Sequence, residues 1–267
     1  LALAETLIDI PFSLYLTFCV ENRYGFNTTT QKLWLTDLIK STVINVLLLC
    51  LLAAGAFTFI RWSPAFWWLW VWGFFAVTSI FLMYIAPYVI EPLFFKFSPV
   101  EEKGLEEDIR KMMERAGVQV SRVMQVDASR RSRHSNAYFS GIGRLKRIIL
   151  FDTLLTQMND NEILAILAHE AGHWKKGHIL KRLILIEAGA LLASYIAFRL
   201  LQWGGLPGLF GLSDSSLPAQ VVILLFLGSL AAFPFTPLFS RLSRRHEGQA
   251  DHFACELSGM PGALATA

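Results

Sequence analysis

Charged residues are scarce in this chain. They make up 17% of its 267 residues, whereas 54% are hydrophobic, including 8 tryptophans and 21 phenylalanines. Soluble domains carry roughly 25% charged residues, so this composition excludes an ordinary soluble globule and indicates a membrane protein. The net charge of +3 comes without a basic run interleaved with aromatic residues, and nucleic-acid binding therefore has no support.

Cysteine is also rare, since only Cys19, Cys50 and Cys255 occur and no two of them form a CxxC pair. This spacing indicates neither a disulfide framework nor a thiolate metal site. Any bound metal would therefore use histidine and carboxylate ligands. An initiator methionine and a basic leader segment are absent at Leu1, and we expect a piece of a longer protein rather than a secreted one.

Long uncharged runs are present instead. Three of them have about 20 residues or more and can cross a hydrocarbon core roughly 30 Å thick; they are residues 41–60, 66–90 and 218–239. Residues 179–201 form a fourth candidate span with Glu187 inside it. An intramembrane carboxylate usually faces a cavity or a partner, although a position one turn below the headgroups is equally consistent. Residues 1–20 have the pattern of the tail of another span followed by a re-entrant or interfacial piece.

Lysine and arginine are distributed unevenly among the segments that connect these spans. Residues 91–178 are rich in both, and three arginines follow the last span, whereas residues 202–217 contain neither. Because cytoplasmic loops carry the excess of basic residues, both basic segments are predicted to be cytoplasmic. The spans within 179–240 then form a hairpin that returns the chain to the same side of the membrane.

The first basic segment has the pattern of a small mixed α and β domain. Residues 100–116 predict an amphipathic helix closed by Gly117, with one apolar stripe formed by Leu105, Ile109, Met112 and Met113. Short β-prone runs follow, with Gly141 and Gly143 as turn residues; they are residues 122–126, 137–140 and 147–151.

The next predicted helix begins at Asn159, because Glu162 three positions on completes a capping signature. This helix carries the string HEAGH. Histidines four residues apart project from nearly the same face of a helix, so His169 and His173 can bind one zinc ion with Glu170 beside it. The expected reaction is peptide-bond hydrolysis, in which zinc would polarise the scissile carbonyl and activate water, and Glu170 is predicted to be the general base.

A catalytic zinc site needs three protein ligands and an open position, so a third donor must be found. His178 is a poor candidate, because five residues beyond His173 it would face about 140° away on a continuous helix. The metzincin extension is absent as well, since Lys176 stands where that motif needs glycine.

Glu247 is the better candidate for the third ligand. It follows the returning hairpin in a run predicted to be helical, and Asp251 shares its face four residues on. Asp251 could accept the N–H of a zinc-bound histidine. The alternative is a solvated helix face on which the two carboxylates pair with Arg244 and Arg245. Two flanking residues stay open as alternative ligands, His246 and His252.

Two polar residues, His134 and Asn136, precede the β-prone run at 137–140. Either could hydrogen-bond the backbone of a substrate added as an extra strand, or help to bind the oxyanion. Either could equally be a turn residue.

Six strings, distributed over nearly the whole chain, carry a further signal. They are DIPFSLY at 9–15, GFN at 25–27, HSNAYF at 134–139, IILFDTLL at 148–155, HEAGHWKKGH at 169–178 and SRR.E.QAD.FA at 243–254. Together they closely resemble the type I CAAX prenyl protease family, whose members are integral-membrane zinc enzymes. The resemblance implies transmembrane helices around a large water-filled chamber, and hydrolysis of a peptide bond near the C-terminus of prenylated (CAAX) proteins.

The resemblance also assigns roles to individual residues. It implies that one zinc ion per chain is bound by His169, His173 and Glu247, that Glu170 is the catalytic base, that Asp251 supports a ligand, and that Asn136 lies by a cleft where substrate runs along an edge strand.

The sequence thus predicts a mostly α, polytopic membrane protein with a small cytoplasmic α+β zincin-like domain. Its predicted divisions are transmembrane helices at 1–90, a metallopeptidase domain with the HExxH helix at 91–178, a transmembrane hairpin at 179–240 and a cytoplasmic helix with the third ligand at 241–267. The active site is predicted to face the cytoplasm. The expected partners are a peptide or prenylated protein and the lipid bilayer, with no nucleic acid, and a monomer is favoured.

Two other functions stay open. HtpX-type membrane quality-control peptidases share HExxH and the downstream glutamate, although the strings DIPFSLY and HSNAYF favour the CAAX family. A non-catalytic membrane scaffold or transporter could hold a structural zinc ion, but a purely structural site has no use for Glu170 beside its ligands.

Overall fold

The computed structural model describes residues 2–141, 145–212 and 216–266. The described chain is mostly helical, as predicted. Its α-helices are α1 (Ala2–Tyr15), α2 (Gln31–Trp62), α3 (Trp67–Val89), α4 (Glu91–Phe94), α5 (Lys103–Arg115), α6 (Asp152–Gln157), α7 (Asp160–Lys175), α8 (His178–Trp203), α9 (Leu217–Ala232), α10 (Thr236–Ser258) and α11 (Pro261–Thr266).

Four helical segments are long and apolar enough to cross a membrane, judged by length and composition: Gln31–Trp62, Trp67–Phe94, His178–Trp203 and Leu217–Ser258. Three of the predicted spans lie within them and the fourth, 66–90, begins one residue before its helical segment, so all four are confirmed as helices. The last segment joins α9 to α10 through a short 3-10 helix, Phe233–Phe235. The N-terminal piece is α1 followed by a π-helix, Leu16–Glu21, whose wider turn leaves no distinct mark in the sequence pattern.

The chain divides into two compact units. The first comprises Leu1–Cys50, Phe81–Lys176 and Gln249–Ala267, and the second comprises Leu51–Ile80 and Gly177–Gly248. The first unit therefore holds α5, α6 and α7 together with the C-terminal part of α10.

A four-stranded sheet forms the centre of the first unit. Its strands are β1 (Phe97–Pro99), β2 (Gln119–Val126), β3 (Ala137–Ser140) and β4 (Leu145–Phe151), in the order β1-β2-β4-β3. The central strands β2 and β4 are parallel, with Val123 opposite Ile148, and both outer pairs are antiparallel. In the described part of the chain, β3 is thus an edge strand.

Three of these strands contain the β-prone runs predicted from the sequence. The strand β1 was not predicted, because three residues ending in proline show no alternation. Gly141 follows β3 with a φ of 97°, the left-handed conformation expected of a turn glycine. Gly143, the other predicted turn residue, lies outside the described residues.

The hydrophobic core lies between this sheet and the helices α5 and α7. The predicted apolar stripe of α5 is buried, with Ile109 and Met113 at 0% exposure. From β4, alternate residues Ile148 and Leu150 point into the same core because successive side chains of a strand face opposite sides. The amphipathic pattern is confirmed, although the helix runs from Lys103 to Arg115 and is thus three residues shorter at its start and one residue shorter at its end than the predicted 100–116.

The second unit contains α8 and α9 and the adjoining parts of α2, α3 and α10. Glu187 on α8 lies among polar groups of α3: Ser79 Oγ is 2.8 Å from Glu187 Oε1, and Trp72 Nε1 donates to the Glu187 carbonyl at 3.0 Å. This carboxylate therefore has partners on a neighbouring helix, which favours the first of the two sequence-based interpretations.

Candidate metal centre

The helix that carries HEAGH, α7, is fixed at both ends. At its start, Asn159 Oδ1 accepts from Glu162 N at 3.1 Å, and Glu162 Oε2 accepts from Asn159 N at 3.0 Å, which completes the predicted capping box. At its end, Lys175 Nζ donates to the Ala116 carbonyl at 3.1 Å. Gly177 then breaks the helix with a φ of 67°. His178 consequently belongs to the next helix.

The two histidines of the motif point at one place. His169 Nε2 and His173 Nε2 are 3.1 Å apart, and the ring centroids are 4.8 Å apart. Two nitrogens bound to one tetrahedral zinc ion at about 2.0–2.1 Å lie roughly 3.3 Å from each other. The observed separation therefore fits a shared ion.

Asp251 on α10 sets the tautomer of His169. Its Oδ1 lies 2.8 Å from His169 Nδ1. A carboxylate offers only lone pairs, so Nδ1 carries the proton and donates. The neutral ring then keeps an unprotonated Nε2, which is the state that a metal ligand requires.

The close approach of α7 to α10 depends on Gly172. A Cβ at this position would lie 2.9 Å from Ala250 Cα and 3.0 Å from its carbonyl oxygen. Any larger residue would therefore push α10 away. The glycine of HEAGH thus permits the backbone contact that places Asp251 against His169.

Glu247 lies one turn before Asp251 on the unbroken helix α10. Among the residues that the structure describes, His169, His173 and Glu247 form a group that could hold a metal ion, with one ligand atom of each within 4.8 Å of the others. Two imidazoles and a carboxylate, with no thiolate, are the donor set of a catalytic zinc site.

The alternative ligands have other contacts. The rings of His178 and His246 stack with centroids 4.1 Å apart, and His178 is buried. His252 Nδ1 lies 3.5 Å from Glu256 Oε1 in the next turn of α10. None of these three histidines belongs to the candidate metal group among the described residues.

The edge strand β3 lies against α7, and Asn136 immediately precedes this strand. Asn136 Oδ1 accepts from Ala137 N at 2.8 Å, so the carbonyl end of the side chain is used in the turn while the residue is exposed. His134 stacks on Phe26 with centroids 4.3 Å apart, and its Nε2 lies 3.2 Å from Glu21 Oε2. Asn136 therefore makes the local contact expected of a turn residue, whereas the ring of His134 contacts residues far earlier in the chain.

A side chain of β3 shows how the strand is anchored on its other face. Tyr138 Oη donates to Glu91 Oε2 at 3.0 Å. Burial, followed by the adjacent Glu91 carboxylate, raises the pKa of Tyr138 far above its ordinary value. The phenol therefore stays protonated and holds β3 to the N-terminus of α4.

Sequence reasoning missed the pair Lys146 and Trp174, which lies beside the motif. Lys146 is 1% exposed, and its Nζ lies 3.3 Å from the centroid of the Trp174 ring. The available signal was the alternation of β4, which puts Lys146 on the same face as Ile148 and Leu150. A lysine in a core series is unusual enough to suggest a specific role.

The HExxH helix, the edge strand beside it and the downstream carboxylate on α10 define a zincin-type metallopeptidase fold in a chain with membrane-spanning helices. The sequence profile of Peptidase family M48 matches residues 99–267, and the profile of the CAAX prenyl protease N-terminal region, five membrane helices, matches residues 1–96. The chain belongs to Peptidase family M48 and is an integral, multi-pass membrane protein.

Individual relatives agree with this assignment. The chain is 34% identical to CAAX prenyl protease 1 homolog of Dictyostelium discoideum over 95% of its length and 60% of the relative. It is 34% identical to CAAX prenyl protease 1 of Saccharomyces cerevisiae over 95% of its length and 59% of the relative. The crystal structure of S. mikatae Ste24p superposes with a TM-score of 0.87 at 33% identity, covering 95% of this chain and 63% of the other. The chain thus spans about 60% of the length of these relatives.

Proposed function

We propose that this protein is a membrane-embedded zinc endopeptidase that cleaves a peptide bond near the C-terminus of prenylated CAAX proteins. The observation that supports this most strongly is the facing pair His169 Nε2 and His173 Nε2, 3.1 Å apart, with the Asp251 carboxylate on the opposite nitrogen of His169. A distance of 3.1 Å also fits an N–H···N hydrogen bond between the two rings, and it is the Asp251 contact that favours a metal, because it holds the proton on Nδ1 of His169 and leaves Nε2 unprotonated.

The residues that would hold zinc are His169, His173 and Glu247. When bound, zinc polarises the scissile carbonyl and makes water a stronger nucleophile at neutral pH. Asp251 keeps His169 in the tautomer that binds metal, because its carboxylate accepts the Nδ1 proton.

Glu170 follows His169 directly on α7 and is the proposed general base. It takes a proton from the attacking water and passes it to the leaving amine as the peptide bond breaks. A carboxylate suits both steps because it can bind and release the same proton within one turnover.

The edge strand β3 supports a role in substrate binding, because a strand with one open side can pair with an extended peptide. Asn136, at the start of this strand, is proposed to donate its amide N–H to the peptide backbone. His134 is the weaker candidate, since its ring is engaged with Phe26 and Glu21.

The substrate class rests on the names of the relatives and on the apolar helices, which offer a lipid chain a hydrophobic environment. The relatives are named CAAX prenyl proteases. The excess of lysine and arginine in residues 91–178 and 241–267 supports an active site on the cytoplasmic side, with the metallopeptidase domain and the helix of the third ligand in these two segments.

The proposal is tested on the purified full-length protein in detergent, loaded with one equivalent of zinc. A farnesylated CAAX peptide should be cut at one bond near its C-terminus, much faster than its unprenylated twin, and chelation followed by zinc readdition should abolish and restore this activity. Cleavage of unfolded membrane proteins at many bonds, without preference for the farnesyl group, would indicate a quality-control peptidase. Zinc binding without cleavage of either substrate would contradict a peptidase.

A further inference from the structure

Lys146 occupies a core position in the sheet. Along β4 the side chains of Ile148 and Leu150, two and four residues further on, are 0% exposed and face α5 and α7. Lys146 continues this series and is 1% exposed. Because alternate residues of this strand face the core, an aliphatic residue is expected at position 146 on packing grounds.

The Lys146 amine contacts two elements of the proposed active site. Its Nζ lies 3.3 Å from the centroid of the Trp174 ring, a cation–π contact, and donates a hydrogen bond to the Gly141 carbonyl. Trp174 follows His173 on α7. Gly141 follows Ser140, the last residue of the edge strand β3.

A buried cation costs stability, and burial lowers the pKa of Lys146 to about 8. Well-packed apolar residues commonly replace buried charges without loss of stability, and sometimes with a gain. Packing therefore gives no reason for a lysine at this position. The reason lies in two contacts, one with the indole face and one with the carbonyl, because only a long cationic side chain can make both at once.

We infer that Lys146 is a positioning residue that ties the C-terminal end of the edge strand β3 to the end of the helix α7, and so fixes the strand that binds substrate at its working distance from the metal ligands. This inference rests on the proposed peptidase function. Lys146 itself does not touch the substrate.

The consequence concerns peptides that pair along β3. This strand has four residues and is about 13 Å long. A long peptide pairs with the whole strand, so its rate of cleavage depends on the position of β3. A truncated peptide that barely reaches β3 does not depend on that position. A shift of about 1 Å at such a distance can cost up to 100-fold in rate.

The test uses the full-length, zinc-loaded protein with Lys146→Met, and Lys111→Met as a control on the exposed face of α5. Two farnesylated peptides are compared: one long enough to cover β3 and one with only two residues before the cleaved bond. We expect Lys146→Met to lower kcat/KM for the long peptide by about tenfold or more and for the short one by less than about twofold, with Tm unchanged or raised. Lys111→Met should change neither.

A second pair of variants tests the indole contact independently. Trp174→Phe keeps an aromatic face and should retain most of the activity on the long peptide, whereas Trp174→Leu should show the same selective loss as Lys146→Met. Equal loss on both peptides together with a lowered Tm would mean that Lys146 is merely structural, and this would overturn the inference.

Hydrogen exchange separates this inference from the proposed function, because it does not require turnover. In Lys146→Met the amides of residues 137–140 should exchange faster than in the wild type, since the strand has lost its tie. Unchanged exchange there would overturn the inference even if peptides are cleaved. A wild type that cleaves neither peptide would instead overturn the proposed function.

Discussion

The two regions of this molecule bury their apolar residues in opposite ways. In the sheet and helices of the first unit, apolar side chains such as Ile109 and Ile148 are 0% exposed. In the spans α2, α3 and α9 no residue is buried, and aliphatic residues of α8 such as Ile184 are about half exposed. The first pattern is a core that excludes water, and the second is a surface that suits lipid.

In each region an ionisable side chain lies among these apolar residues. Lys146 lies in the core of the first unit, and Glu187 lies in a span of the second. Both make contacts that link two elements, α7 with β3 in one case and α8 with α3 in the other. An ionisable residue in an otherwise apolar run therefore indicates, in both cases, a contact between two elements.

The largest effect is expected on turnover, when the proposed general base of the first region is replaced. Glu170→Gln should bind zinc normally but lose turnover by at least about 10²–10⁴-fold, because glutamine cannot take the proton from water. Turnover of a farnesylated peptide and zinc content are measured on the same preparation. Glu107→Gln, an exposed carboxylate on α5, serves as the control and should keep full activity. Near-normal cleavage by Glu170→Gln would rule out its role as base.

A matched isoleucine pair tests the comparison of cores directly. Ile148→Ala should lower the free energy of unfolding by about 2–5 kcal/mol, because it opens a cavity in a closed core. Ile184→Ala should cost less than about 1 kcal/mol, since lipid replaces the lost contact. Unfolding of both variants is followed in the same detergent. Similar losses at the two positions would contradict the contrast between them.

Substitutions at two glycines, one in each region, also test the difference in packing between the regions. A Cβ at Gly172 would collide with Ala250, whereas Gly189 on α8 has open space around the same atom. Gly172→Ala should therefore destabilise the protein by about 1–3 kcal/mol and weaken zinc binding, because α10 moves and takes Asp251 with it. Gly189→Ala should be neutral or slightly stabilising. If Gly172→Ala binds zinc as tightly as the wild type, the close helix contact does not matter for the site.

Features that depend on residues close together in the sequence could be predicted, whereas features that depend on contacts between distant residues could not. The stripe on α5, the capping box at Asn159 and the spacing of His169 and His173 are read within one or two helical turns. The parallel pairing of β2 with β4 and the burial of Lys146 depend on partners far along the chain. The functional roles of His169, His173, Glu170 and Glu247 stay predictions until a metal is measured.

The buried lysine also gives a dependence on pH. The pKa of Lys146 is 10.5 in the unfolded chain and about 8 in the folded protein. Between these values the unfolded chain binds a proton that the folded protein does not, so stability rises with pH in this window and is unaffected by this group below it. The wild type should thus gain stability relative to Lys146→Met from pH 8 to 10.5, measured by Tm. Parallel curves across that range would contradict a lowered pKa.

The smallest effect is expected where the spans are tied together. Ser79→Ala removes the hydroxyl that lies 2.8 Å from Glu187 and should cost about 0.6–2 kcal/mol, the range of hydrogen bonds between membrane helices. Thr58→Ala is the control, because the Thr58 hydroxyl bonds only within its own helix, to the Ala54 carbonyl. Equal Tm values for the two variants would show that the contact between Ser79 and Glu187 does not link the helices.

The zinc content of the purified protein tests whether His169, His173 and Glu247 together bind one zinc ion. The purified full-length protein is dialysed against a weak chelator, and zinc per chain is measured by mass spectrometry for the wild type, Glu247→Ala and the control Glu256→Ala on the same helix. We expect one zinc ion per chain in the wild type and in the control, and a loss of most of it in Glu247→Ala. Full retention of zinc by Glu247→Ala, or no zinc in the wild type, would contradict the three-ligand site.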